Sequence, residues 1–358
     1  MNGRFISTYN ELKEISADWD AFIEKSEFTS FFSTSGFTRA WWRAYENSRN
    51  MHVVIVTDEN GELRLIAPFQ AEKRNPERWE LVGTHLINYN PLLMKTGDKD
   101  ALDYFFVWLK QQSGWEKLVF RVLANATISK VLLIDFDASS FARWLRLGSF
   151  FVEHEARRDH PYISKTALKN FINLLHEKSY RHGLNILKRE GTPDFQMTMD
   201  IEEFRKYFDR FCELHIAEWG SRGRNSQLSD PETRNFYSYL IDEMVDYKTL
   251  RLGVLKINDK PIAFSMGAKW NDRIDSWITC FDIEHARVGP GKLLRGYLIQ
   301  NSIEEGASEF DLGRGLQPHK LEFTPDLRET VIFSIYRSPI HALATKLKAL
   351  RKVQQAAL

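Results

Sequence analysis

The chain is short of cysteine, of long apolar runs and of any excess of one charge. Its two cysteines, Cys212 and Cys280, lie far apart and outside any CxxC or other ligand spacing. They fit buried fillers in a reducing compartment better than a disulfide, a metal site or a nucleophile. The longest apolar runs, such as 131–134, are far too short to span a bilayer. The N-terminal stretch (1–16) has neither an apolar signal core nor a small-residue cleavage site, so the expected location is cytoplasmic. Lys and Arg number 49 against 48 Asp and Glu, a formal charge of +1. No global field recruits nucleic acid or an anionic membrane, and a polyanion has to be met locally.

What remains is an ordinary globular composition, 43% hydrophobic and 27% charged, over 358 residues. That length fits two domains of comparable size, each able to bury its own core.

One plan occurs twice. In the first half, alternating HVVIVT (52–57) and LRLIAPFQ (63–70) flank a turn at Asp58 to Gly61; a helix (101–112), Gly114 and the strand EKLVFRV (116–122) follow. In the second half, LRLGVLKI (250–257), a turn at Asn258-Asp259 and IAFSMGAKW (262–270) are followed by a helix (292–305), Gly306 and EFDLG (309–313). Asn60 and Asn258, and Gly114 and Gly306, stand at similar offsets. The order and spacing point to a fused duplication, with the boundary near Asp159. The basic stretch 161–191 reads as helical, with its charges on a solvated face or facing a polyanion. Two more helices precede the second sheet, 201–219 and 231–247, the latter with Asp230 as N-cap and Pro231 opening it.

The segment that carries chemistry follows the strand SWITC (276–280). FDIEHARVGPGKLLRGYLIQ (281–300) is a glycine-containing loop opening directly into a helix. Gly289 and Gly291 let backbone approach a ligand, and the first amides of the helix, with its dipole, favour a pyrophosphate-like anion. A structural turn is the plainer reading of such a loop. A Walker A loop would need Gly at Ala286 and Ser or Thr at Leu293, and the dinucleotide fingerprint lacks its third glycine and strand context.

Phe281-Asp282, Pro290-Gly291, Asp311, Gly313-Arg314-Gly315 and His319-Lys320, within 253–323, resemble the GNAT acyltransferase branch linked to cellulose and exopolysaccharide biosynthesis. That branch is also similar to FemAB-type transferases. The segments 31–45, 81–93 and 213–223 extend the similarity over most of the chain. The resemblance implies an α/β (α+β) fold of two tandem GNAT-like domains, each a mixed, mostly antiparallel sheet flanked by helices. Residues 1–158 would be a degenerate copy. Residues 159–358 would be the working acyltransferase domain, ending in an amphipathic basic helix (340–358) that docks on its own domain or a dimer mate.

The activity so implied is an N-acetyltransferase-like transfer from acetyl-CoA or another acyl-CoA to an amine of a small-molecule or saccharide acceptor, without a metal. The pyrophosphate is expected on Val288, Gly289, Gly291, Lys292 and Leu293. Asp282, Asp311 and His319 are candidates for the proton-accepting group, and His319 or Lys320 for protonating the thiolate. Arg314 and Lys320 suit a phosphate or carboxylate on the acceptor, or a local ion-pair cluster with Asp311. His215 and Trp219, one helical turn apart, line the acceptor cleft or pack in the core. Two alternatives stay open: an aminoacyl-tRNA-dependent transferase acting on a peptidoglycan precursor, the only reading with a nucleic-acid partner, and a non-catalytic scaffold of an exopolysaccharide synthase.

Overall fold

A computed structural model describes residues 1–133 apart from 88, 90 and 91, then 143–144, 150–338 apart from 246, and 340 and 343. The tail helix expected over 340–358 lies almost wholly outside the described residues. The chain divides into two compact units, Met1–Arg158 with Glu329–Leu358, and Asp159–Arg328.

The strands are β1 (Asn2–Ile6), β2 (Arg49–Thr57), β3 (Leu63–Glu72), β4 (Arg78–Leu81), β5 (Leu93–Met94), β6 (Lys117–Leu123), β7 (Arg143–Trp144), β8 (Phe151–Ser164), β9 (Pro193–Thr198), β10 (Leu250–Ile257), β11 (Lys260–Trp270), β12 (Arg273–Phe281), β13 (Glu309–Asp311) and β14 (Leu327–Tyr336). In the first unit the order is β1-β2-β3-β4-β6-β14, antiparallel except for β4 and β6. In the second it is β13-β12-β11-β10-β9, antiparallel except for β12 and β13, with Tyr162–Ser164 of β8 antiparallel on β13. The two sheets share one pairing plan, a mixed and mostly antiparallel α/β arrangement.

The first unit carries helices α1 (Ser35–Tyr45) and α2 (Lys99–Gln111). Its core gathers Val54, Phe69, Phe105, Leu118 and Phe333, all fully buried. In the second unit, α3 (Lys178–Glu190) and α6 (Pro290–Glu304) bury Leu187, Leu294 and Ile299 with Leu255, Ile262 and Phe310. Phe211 of α4 (Ile201–Ser221) meets Phe264 of β11 edge-on at 5.8 Å, and α5 (Pro231–Glu243) sets Tyr237 against Trp277 of β12 at 5.0 Å with the rings tilted.

The local signals act as sequence chemistry dictates. Asp200 and Asp230 accept the first amides of α4 and α5, and Pro231 occupies the position where no amide is needed. Asn258 and Asp259 turn β10 into β11 with positive φ of 48° and 65°, as tight hairpins require. One expectation fails in part: 161–164 is strand, because Ile163 pairs with Phe310 of β13, and only short helical turns at Lys165–Leu168, Lys169–Phe171 and Leu174–His176 precede α3.

Candidate active site

Strands β12 and β13 run parallel but stay paired over three residues only, from Arg273 opposite Glu309 to Asp275 opposite Asp311. Two devices part them. On β12, the register with β11 jumps from Gly267 opposite Ser276 to Met266 opposite Ile278, leaving Trp277 as an extra, bulged residue. The bulge needs glycine at 267, where a Cβ would stand 2.3 Å from the Asp275 carbonyl oxygen. On β13, the Asp311 Oδ1 accepts the Gly313 N–H at 2.7 Å, and Gly313 turns the chain away with φ 75°. Among the described residues of this unit, no strand pairs with the far half of β12, Ser276 to Phe281, on its β13 edge. Asp282 donates its N–H to Ile262 of β11 at 2.7 Å, and backbone donors alternate in direction along a strand, so the Phe281 N–H faces that edge.

The β12 strand ends in a 3₁₀ turn, Ile283–Val288, which leads into α6. Gly289, left-handed at φ 66°, is the N-cap of α6 and offers no side-chain hydrogen bond to it; Pro290 follows at the first helical position. The Gly289 N–H is spent on the Ala286 carbonyl, and Leu293 makes the first bond of the new helix, to the Gly289 carbonyl. Gly291 and Lys292 therefore carry the first-turn amides that helix geometry leaves open. The side chains of Val288 and Leu293 are buried in the core, and the Val288 carbonyl lies 2.6 Å from where a Cβ of Gly183 would stand, which presses α3 onto the loop. Of the five residues expected to hold a pyrophosphate, Gly291 and Lys292 supply open amides, Gly289 supplies the turn, and Val288 and Leu293 supply packing.

Asp282 caps the 3₁₀ turn: Oδ1 accepts the Glu284 N–H at 3.1 Å, while Oδ2 lies 3.2 Å from Arg210 and 3.9 Å from Lys260. Asp311 is fully buried and ion-paired with Arg328 at 2.9 Å. Opposite it, burial holds Asp275 above the usual carboxylate range, and among the described residues its Oδ1 has no hydrogen-bond partner. His319 is exposed on a short helix, α7 (Pro318–Leu321); loss of solvent around the ring and then the nearby cations Arg295 and Lys320 push its pKa down to about 4, keeping it neutral near pH 7. Lys320 is buried, its Nζ donates to the Arg314 carbonyl at 2.6 Å, and desolvation followed by Arg295 lowers its pKa to about 8. Arg314 contributes its carbonyl to this contact.

His215 and Trp219 stack at 5.5 Å on α4. His215 is buried against Ser226, Nδ1 to Oγ 2.7 Å, and burial drops its pKa to about 4. Between them, Glu218 is the residue that sequence reading missed. Its Oε2 accepts the Phe281 N–H at 3.0 Å, its Oε1 pairs with Arg222 at 2.5 Å, and burial raises its pKa. Arg222 also lies over the Phe281 ring at 6.0 Å. An available signal was its spacing of three from His215, which puts both on one helix face. Among the described residues, no group of three or more His, Cys, Asp and Glu is placed to hold a metal, and no helix is long and apolar enough to cross a membrane.

Residues 176–321 match the profile of the acetyltransferase (GNAT) domain. No curated protein matches the chain. Among solved structures, the chain is similar to FemX (TM-score 0.60, 11% identity, covering 96% of this chain and 99% of that one). It is also similar to the C-terminal domain of a putative lysylphosphatidylglycerol synthetase from Agrobacterium fabrum (0.56, 14%, 95% and 95%). A third likeness is to a tandem GNAT protein from the clavulanic acid biosynthesis pathway (0.50, 11%, 94% and 99%). The chain therefore has the fold of tandem GNAT-like proteins, with an acetyltransferase-type domain across residues 176–321.

Proposed function

We propose that the second unit is an acyltransferase moving an acyl group from acetyl-CoA or another acyl-CoA to an amine of a small-molecule or saccharide acceptor. One observation carries the reading: β12 and β13 separate beside a helix whose first amides, at Gly291 and Lys292, are open and uncapped by any side chain. An extended, amide-containing arm can add along this edge of β12 while its anionic handle rests on the start of α6.

In this reading the amine attacks the thioester directly, and backbone N–H groups of β12 stabilise the oxyanion. Of the three candidate bases, Asp282 and Asp311 are committed to Arg210 and Arg328, whereas His319 is exposed and kept neutral, so His319 accepts the amine proton. The first unit, a degenerate copy, contributes no donor site, and the setting is exopolysaccharide or cell-envelope synthesis in the cytoplasm. The test is incubation with an acyl-CoA panel while free thiol is monitored, then mass spectrometry of products from a metabolite extract. No thiol release with any acyl-CoA defeats the proposal.

A second reading, aminoacyl transfer from a tRNA to a peptidoglycan precursor, is favoured by the cations Arg295 and Lys320, which stand close enough for the charge of Arg295 to lower the Lys320 pKa. Ribonuclease-sensitive activity would select it.

A further inference from the structure

Arg295 lies four residues beyond Gly291, one turn further along α6. Arg295 is half-buried, and desolvation works against its charge, yet neither a hydrogen bond nor an ion pair to a described residue engages its guanidinium. Lys320 is buried with only the Arg314 carbonyl as partner, at 2.6 Å, and no described carboxylate lies within ion-pair distance. Tyr180 of α3 is 2% exposed, and its hydroxyl has no hydrogen-bond partner among the described residues; Arg295 is the strongest charge acting on it. Lys292 Nζ sits over the Tyr180 ring at 5.1 Å, and His319 feels both Arg295 and Lys320. The nearby Glu322 is largely exposed and lies 3.5 Å from Lys292.

Desolvating two cations that Glu322 and Asp311 reach only from beyond ion-pair distance is costly, and the cost is offset when an anion joins them. A guanidinium fork, an ammonium point charge and a hydroxyl donor match the several oxygens of a phosphoryl group better than one carboxylate. We infer that Arg295, Lys320 and Tyr180 form the seat of a phosphoryl group, separate from the open amides of Gly291 and Lys292. The inference rests on reading this cleft as the transferase site, and it narrows the substrate class: one reactant brings a phosphoryl group in addition to whatever the helix amides hold. Two sources share that chemistry, the 3′-phosphate of coenzyme A and a phosphate on the acceptor, as in a nucleotide-linked saccharide.

The test is calorimetry on the full chain with coenzyme A, 3′-dephospho-coenzyme A, UDP-N-acetylglucosamine and inorganic phosphate, for wild type, Arg295→Met and Lys320→Met. We expect each variant to weaken at least one phosphorylated ligand about tenfold or more, which is roughly one lost charge-assisted contact. Weakening of coenzyme A but not of its dephospho form assigns the 3′-phosphate; weakening of the nucleotide sugar alone assigns the acceptor. Wild-type affinity for all four ligands in both variants overturns the inference. Should a variant fail to fold, the Lys320 ammonium of the wild type is titrated by NMR with and without inorganic phosphate: an upward pKa shift supports the seat, and an unmoved titration overturns it. Arg295-dependent phosphate binding in a protein that turns over no acyl-CoA would sink the transferase reading and leave the seat standing.

Discussion

The Glu218 carboxylate holds the Phe281 N–H at 3.0 Å, on the edge of β12 that no strand of the second unit's sheet covers. An extended ligand adding to that edge competes with Glu218 for the same amide. Glu218→Ala is therefore expected to tighten acyl-CoA binding several-fold, read as a lower Kd by calorimetry. An unchanged or weaker affinity in a folded variant would show that ligand and carboxylate do not share the amide. The sign for stability is separate. Folding raises this carboxyl's pKa, so the native state binds more protons than the unfolded state at and above the ordinary glutamate range, and wild-type stability falls as pH rises through it. Glu218→Gln should flatten that slope in urea titrations.

At Gly291, an added Cβ would sit 3.4 Å from the Phe281 ring, a contact the fold can absorb. A carboxylate there would stand in front of the open amides. Gly291→Glu is expected to abolish acyl-CoA binding with Tm within a few degrees of wild type; retained affinity would place the anionic handle elsewhere.

Gly267 is different in kind, since its missing side chain is what lets the Asp275 carbonyl approach. Gly267→Ala should cost about 1–3 kcal/mol, the range for forced overpacking, and suppress the bulge that parts the strands. Denaturant midpoint and thiol release should fall together. Loss of neither would mean that the bulge is not set by this residue.

For His215, burial lowers the pKa from 6.5 to about 4, so between those values the unfolded chain binds a proton that the native state refuses. Stability therefore drops as pH falls through that window, by about 3 kcal/mol at its end from this residue alone. His215→Gln keeps a partner for Ser226 but cannot titrate. Its loss of stability between pH 7 and pH 4 should be visibly smaller than that of wild type, and equal losses would refute the assignment.

Much of the architecture was legible because alternation and helical spacing are local. The hairpin at Asn258-Asp259, the helix opened by Pro231 and the strand-loop-helix around Gly289 all follow from neighbouring residues. The site was less legible, for two reasons. Residue type does not reveal helix phase: Leu293 and Val288 border the loop yet turn inward, whereas Arg295, further along, stays half-buried and near enough to lower the pKa values of His319 and Lys320. Nor does an aspartate announce its task, and Asp282 serves as a cap for the same chemical reason that made it look like a base. The parting of β12 from β13 depends on a one-residue register jump against β11, which no pattern within β12 encodes.

The last strand of the first unit's sheet, β14, pairs with β6 from Thr330 opposite Leu123 to Tyr336 opposite Lys117, although the whole second unit is encoded between them. During synthesis the first unit must wait, its β6 border bare, until the ribosome has passed the entire second unit, whereas residues 159–328 can complete their own sheet as they emerge. A fragment cut at Arg158 would keep that border open indefinitely and would be prone to stick to other copies of itself.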